Sequence, residues 1–217
     1  MPIAMPQHAH SCRDGLLQVA SELMAEIGYA AMSMRQLAAR AGLQPGSLYH
    51  HVASKQDLLL DVLLYVLAQR LEAWRSCTFP RNLQGYLRFM LDRQRTHAGE
   101  ELLLRHESRH VSAQQRGWVQ AAQQRLREPL RQYIAIEQHC ADDVSGACEA
   151  ILALLDSADN LRRRDAPMDE PAIERWVICM SRLLLGQPQG SVQRNPADAL
   201  SAMCLEDRAC RSMVTPR

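Results

Sequence analysis

The chain has 217 residues, 47% of them hydrophobic, and its 25 basic and 24 acidic side chains leave a net charge of +1. That apolar content excludes a wholly disordered chain, no stretch offers the eighteen uncharged apolar residues of a membrane span, and residues 1–10 lack the basic start and apolar run of a secretory signal, so a cytoplasmic protein is expected. Near-neutrality also excludes a global field toward nucleic acid, so any contact with DNA has to come from locally placed donors.

Apolar residues recur at helical spacing almost throughout and strand-like alternation is scarce, so an all-α fold is expected. The first helix runs from Arg13 to Gly28: Leu16, Leu17, Ala20, Leu23, Met24 and Ile27 form one stripe, and Gly28 suits a C-terminal cap. Ser33 precedes Met34 to Ala41, where its hydroxyl can cap a short second helix that Gly42 ends. Pro45 suits the first position of a third short helix over Gly46 to Val52, since its missing N–H costs nothing there. Two short helices joined by a three-residue turn containing glycine are the signature of a helix-turn-helix. Ser54 caps a longer fourth helix from Lys55 to about Arg75, striped by Leu58, Leu59, Val62, Leu63, Val66 and Leu67.

After the break at Thr78 to Asn82, further amphipathic helices are expected at Leu83 to Thr96, Glu100 to Arg109, Ala113 to Gln138 with a bend near Pro129, Asp142 to Arg163 and Glu170 to Leu185. From Gly186 onward Gly, Pro, Gln, Ser and Asn accumulate, which reads as a loose tail with at most one short helix near Pro196 to Cys204. The expected organisation is a DNA-binding domain over residues 1–55, ordered from about residue 12, a helical ligand-binding and dimerisation domain over 56–186, and the tail over 187–217.

The segment from Ser33 to Lys55 collects the chemistry that a DNA backbone and groove require. Ser33, Ser47, Tyr49 and His50 carry hydrogen-bonding side chains, the amide-rich helix starts favour phosphate, and Lys55, the chain's only lysine, adds a charge at one such start. The third helix is the piece to enter the major groove. Gln44 at its entrance can bond an adenine edge, while Pro45 and Gly46 permit close backbone approach and apolar contact with a thymine methyl; Gln44, Pro45 and Ser47 are assigned to base reading. Plainer roles compete: Tyr49 as a packing residue, Ser33 as a cap alone, Arg35 and Arg40 as surface ion-pair formers, and His51 as an inward-facing residue.

The run from Ser33 to Lys55, Ser-Met-Arg-Gln-Leu-Ala-Ala-Arg-Ala-Gly-Leu-Gln-Pro-Gly-Ser-Leu-Tyr-His-His-Val-Ala-Ser-Lys, resembles the DNA-binding domain of the TetR family of bacterial transcriptional regulators. The resemblance implies that Tyr49, His50 and Lys55 contact phosphates, that Ser33 caps the second helix beside the DNA backbone, and that the chain works as a dimer on operator DNA. Two positions depart from the family pattern. Gln44 stands where a capping Ser or Thr is usual, which weakens the cap by up to about 1 kcal/mol, and Val52 stands where Phe is usual, trimming a core contact.

A small DNA reader gains affinity and specificity by binding two half-sites as a dimer. The last two strong helices carry the stripes best suited to that contact: Ile151, Leu154 and Leu155 on one, and Ile173, Trp176, Val177, Met180 and Leu184 on the other. The alternative is that both stripes serve only the core of one protomer. The resemblance further implies that the intervening helices enclose a small-molecule effector, and Tyr86, Met90, Arg93, Trp118, Ala122 and Arg125 are the candidate lining, with plain core packing as the alternative.

The reading is therefore a repressor released by a ligand, against a helical-bundle enzyme or a DNA-binding architectural protein without a sensor. No nucleophile–base pattern, phosphate loop or metal quartet supports the enzyme, and no cofactor, catalytic or metal site is expected. His106 and His110 flank Glu107 at metal-ligand spacing without a third clustered ligand. Seven cysteines, at 12, 77, 140, 148, 179, 204 and 210, show no paired-ligand spacing; Cys140 and Cys148 as a redox pair lack any neighbour that would lower a thiol pKa.

Overall fold

A computed structural model describes residues 7–137, 143–163 and 167–186, with side chains from residue 13. Its elements follow the apolar spacing: α1 (Gln7–Ile27), α2 (Met34–Arg40), α3 (Pro45–Leu48), α4 (Lys55–Ser76), α5 (Leu83–Thr96), α6 (Ala98–His106), a 3-10 turn (Glu107–His110), α7 (Ala113–Glu137), α8 (Val144–Arg162) and α9 (Glu170–Leu184). The expected helix ends at Gln138 and Asp142, Cys140, Cys204, Cys210 and the tail over 187–217 lie outside the described residues, as does the side chain of Cys12.

Short polar side chains start most of these helices by satisfying first-turn amides. Asn82 accepts from Gly85 N at 2.8 Å, Asp143 from Gly146 N at 2.7 Å and Asp169 from Ala172 N at 2.7 Å. α7 begins with a reciprocal pair in which Ser112 N donates to Gln115 Oε1 at 2.9 Å and Gln115 N to Ser112 Oγ at 3.2 Å. Gly28 and Gly42 close α1 and α2 at φ of 81° and 67°, the left-handed region that side chains disfavour.

Several boundaries differ from the sequence expectation. α6 begins at Ala98 rather than Glu100 and gives way at Glu107 to a 3-10 turn. Ile27, expected on the buried stripe of α1, is 41% exposed. It falls in the last turn, where the chain leaves the core toward Gly28. α7 carries Pro129 without ending there; a single missing N–H is absorbed by a helix held along its length by Val119, Leu126, Leu130 and Ile134.

Two apolar clusters build the molecule. The first joins α1 to α4 around Leu16, Met24, Leu37, Leu48 and Leu63, and reaches Leu103 on α6 and Val119 and Leu126 on α7. The second joins α5, α7, α8 and α9 around Tyr86, Leu87, Leu130, Ile151 and Val177, with Trp74 at the end of α4. There Trp74 meets Tyr86 edge-on at 5.0 Å between ring centroids. The boundary expected at residue 55 is thus no break in packing, because α4 supplies Leu58 to Leu67 to the first cluster and Trp74 to the second.

This packing corrects the proposed dimer stripe. Ile151, Leu155, Ile173 and Val177 are wholly inside the protomer's own core, so they cannot meet a partner directly. Trp176 and Met180 are half-buried on α9, Leu154 is half-buried on α8, and Leu183 and Leu184 are exposed. The periodicity located the apolar face but could not divide it between inner core and outer rim.

Candidate nucleic-acid interface

The site is built from α2, the turn after it and α3. Ser33 Oγ accepts from Gln36 N at 3.2 Å while Gln36 Oε1 accepts from Ser33 N at 2.8 Å, which satisfies an orphan amide at each end of the first turn. The Ser-x-x-Gln spacing announces this reciprocal cap in the sequence, although Gln36 was not among the residues expected to matter. Leu37 and Ala38 bury one face of α2, and Leu43 N donates back to Ala38 O at 2.8 Å, so the chain reverses tightly after Gly42. Leu48, at 0% exposure, and buried Val52 then hold α3 against the core.

α3 itself is shorter than expected, four residues instead of seven. Beyond Leu48 the chain continues through tight turns, with His50 N donating to Ser47 O at 3.2 Å and His51 N to Leu48 O at 3.0 Å. Gln44 supplies no side-chain cap, Gly46 favours helix poorly, and a single turn has little cooperative support, so the segment tightens rather than extending as an α-helix. Val52 still enters the core where a larger aromatic is usual in the family.

What Leu48 anchors, the opposite face presents. Gln44, Pro45, Gly46, Ser47 and His50 are exposed, and Tyr49 is 56% exposed, which removes the packing role considered for it. The Gln44 amide is uncommitted because it makes no capping bond. A Cβ built on Gly46 would meet nothing within 4 Å, so the protein itself leaves open space in front of this backbone. Ser33 and Arg35 are exposed beside it on α2, and His51 is half-buried. Arg40 instead grips Glu26 through two hydrogen bonds of 2.7 and 2.6 Å, which hold the Glu26 carboxyl below its ordinary pKa. Arg40 is therefore the ion-pair former of the two arginines.

Lys55 sits differently from a freely solvated lysine. Its Nζ donates to Ala30 O at 3.2 Å and lies 4.5 Å from the centre of the Tyr29 ring, pinning the start of α4 to the α1–α2 turn. Tyr29 is tied in turn to the 3-10 turn: its N–H donates to Glu107 Oε1 at 3.2 Å, and its ring lies 5.2 Å from that of His110. Burial and Glu107 raise the Tyr29 phenol pKa. His110 Nε2 is 3.4 Å from Glu107 Oε2, so this half of the histidine pair serves the same junction. Gln115, capping α7, also donates to Asp57 Oδ1 of α4 at 3.3 Å. Sequence reasoning missed this junction because its contacts join residues 25 to 78 positions apart.

The expected effector lining separates on inspection. Tyr86 and Met90 are buried beside a cavity between α4, α5, α6, α7 and α8. Arg93 faces a different groove, where it pairs with Glu100 at 2.8 Å, and Ala122 packs against the first core cluster. Trp118, 51% exposed, and exposed Arg125 are corrections, since both point away from the interior of α7. Cys148 is buried and its thiol pKa is raised by burial, the opposite of what a reactive redox thiol needs.

Residues 16–62 match the sequence profile of the tetR family of bacterial regulatory proteins. The helix-turn-helix head is thus similar to that of TetR-family regulators. The transcriptional repressor KstR2 of Mycolicibacterium smegmatis is 43% identical over 58 residues, covering 27% of this chain and 28% of that protein. KstR2 of Mycobacterium tuberculosis is 30% identical over 112 residues, covering 49% of this chain and 56% of that protein, so the chain spans about half or less of these relatives' lengths. Among solved structures, the TetR-family regulator PfmR of Thermus thermophilus superposes with a TM-score of 0.57 at 26% identity, covering 81% of this chain and 99% of its own. AibR, solved with isovaleryl coenzyme A and operator DNA, shares the fold at a TM-score of 0.62 and 18% identity, covering 82% of this chain and 100% of its own. The TetR fold thus extends through the helical body, and none of the described helices is long and apolar enough to cross a membrane.

Proposed function

We propose that this chain is a homodimeric transcriptional repressor of the TetR family that binds operator DNA in the cytoplasm and leaves it when a small molecule enters the helical body. The observation that carries the reading is the division of α3: Leu48 fully buried behind, and Gln44, Pro45, Gly46, Ser47, Tyr49 and His50 all exposed in front. An uncommitted amide beside an unobstructed glycine backbone suits a base edge and its neighbouring phosphate. In this reading Gln44, Pro45 and Ser47 read bases, and Ser33, Arg35, Tyr49, His50 and Lys55 meet the backbone. Relatives named as repressors support repression over activation.

The exposed Leu183 and Leu184, with half-buried Leu154, Trp176 and Met180 around them, are the proposed face for the second copy. The ties from Glu107 and Gln115 to Tyr29 and Asp57 are the proposed mechanical link, because α6 and α7 cannot shift without pulling on the head. Linkage then requires effector and operator to weaken one another by the same factor.

Selection of bound fragments from random duplex DNA tests the reading as a whole. An inverted repeat with half-sites about one helical turn apart is the expected product; enrichment of no sequence at low salt overturns it. Two substitutions separate the roles. Lys55→Ala should weaken binding to every sequence alike and reduce the slope of log affinity against log salt by about one, as loss of one phosphate contact requires. Gln44→Ala should relax preference at one base pair, with discrimination falling by about 1–3 kcal/mol. A uniform loss across all sequences with Gln44→Ala contradicts the base-reading assignment.

A further inference from the structure

The helical body reaches the proposed DNA-facing edge of the head at the 3-10 turn Glu107–His110, where α6 passes into α7. The turn is tied to the first turn of α4, because Gln56 Nε2 donates to His110 O at 3.5 Å. The His110 ring lies 5.2 Å from the Tyr29 ring, and Lys55 Nζ sits 4.5 Å from the centre of that same ring. These two steps put His110 within about 10 Å of the Lys55 ammonium, and phosphates of one DNA strand follow one another every 3.4 Å or so of helix axis, so groups on the turn and Lys55 can reach phosphates of the same strand.

Arg109 is the exposed cation of this turn. Its Nε donates to His110 Nε2 at 3.3 Å, which holds the guanidinium beside that ring, and among the described residues its two Nη atoms have no partner. Other arginines of the body are neutralised: Arg70, Arg88, Arg93, Arg105, Arg127 and Arg162 each meet a carboxylate at 2.6 to 3.0 Å. Arg109 is not, although a carboxylate stands two residues away. Glu107 is turned inward, with Oε1 accepting from Tyr29 N–H and Oε2 lying 3.4 Å from His110 Nε2. The other carboxylates at this corner are committed as well. Asp57 accepts from Ser54 Oγ at 2.6 Å and from Gln115 Nε2 at 3.3 Å, and Glu26 is gripped by Arg40. The turn therefore presents a charged fork of uncommitted donors, oriented by a neighbouring ring, and that geometry matches the oxygens of a phosphate.

We propose that the DNA interface extends from the head onto the body, with Arg109 clamping a backbone phosphate near the one met by Lys55. This rests on the operator-binding reading and deepens it by giving the body its own contact with the duplex. Phosphates are the same in every sequence, so Arg109 adds affinity and register and no base preference. Because α6 and α7 meet at this turn, a movement of α6 that withdraws it removes a DNA contact directly, besides pulling on the head through Tyr29.

The full chain and its Arg109→Gln, Arg109→Lys and Arg175→Gln variants are titrated, over a series of salt concentrations, with the duplex enriched from random DNA and with an unrelated duplex of equal length. Arg109→Gln should weaken binding to both duplexes alike and reduce the slope of log affinity against log salt by about one per bound protomer, so that its loss deepens about threefold per protomer between about 0.3 M and about 0.1 M salt. Arg109→Lys keeps the charge and should keep the slope. Arg175→Gln removes the same charge from the exposed side of α9 and should leave the slope unchanged. An unaltered slope with Arg109→Gln, even with a fall in affinity, overturns the proposal, since the guanidinium then only supports the turn or faces water. An equal flattening with Arg175→Gln also overturns it, by tracing the effect to net charge. Failure of the unaltered chain to bind any duplex overturns this contact and the repressor reading together, whereas normal binding by the unaltered chain with no effect of Arg109→Gln overturns this contact alone.

Discussion

Leu48→Ala is expected to destabilise the chain by about 2–5 kcal/mol, the cost of emptying a fully buried leucine site, and to abolish operator binding at once. Leu48 is the inward residue of a four-residue helix, at 0% exposure, and it packs in the cluster that contains Leu37, Ala38 and Val52. So short a helix has almost no intrinsic stability, and its orientation is set by what it buries. Removing the anchor therefore loosens every exposed side chain of α3 together. Ser47→Ala, one residue away on the exposed face, should change stability by no more than about 0.5 kcal/mol. Urea denaturation of both variants, with operator binding measured in parallel, checks the contrast; equal stabilities would mean that α3 is not held by Leu48.

Glu101→Leu should cost about 3 kcal/mol or more, because it leaves the Arg70 guanidinium buried without its nearest counter-charge. Arg70 is 3% exposed, Glu101 Oε1 lies 2.6 Å from it, and the next carboxylate, Glu100, is 3.8 Å away and is shared with Arg93. Adding Arg70→Met should restore most of the loss, since an apolar pair of similar volume needs no compensation. The double-mutant cycle read by denaturation midpoint decides the matter. A double variant no more stable than Glu101→Leu alone would show that the arginine is not the source of the cost.

Much of the head was legible because its signals are local. Ser33, Ser54 and Gly42 mark helix ends within one turn of the residues they serve, and the apolar stripes of α1 and α4 fix which face is buried. The sequence of α3 was overextended for a physical reason: Gly46 and an uncapped Gln44 weaken a helix that periodicity alone would continue to Val52. In the helical body, pattern located apolar faces but could not sort depth. Ile151 and Val177 share stripes with half-buried Leu154 and Trp176, yet only the first two are sealed within the protomer. Trp118 fits a helical stripe and nevertheless faces outward. The link between Lys55, Tyr29 and Glu107 was beyond any local pattern, because its partners are brought together only when α6 closes on α1.

The double membership of α4 limits how the molecule can be taken apart. A fragment ending at residue 55 would lose Leu58, Leu59, Val62 and Leu63, all at 0% exposure in the intact chain, and would leave the inner face of α1 uncovered. Such a truncation should melt without a sigmoid, whereas the intact protein should lose its near- and far-ultraviolet dichroism together in one transition. The helix-turn-helix head is not a detachable module on a flexible stem; it shares a spine with the rest of the protomer.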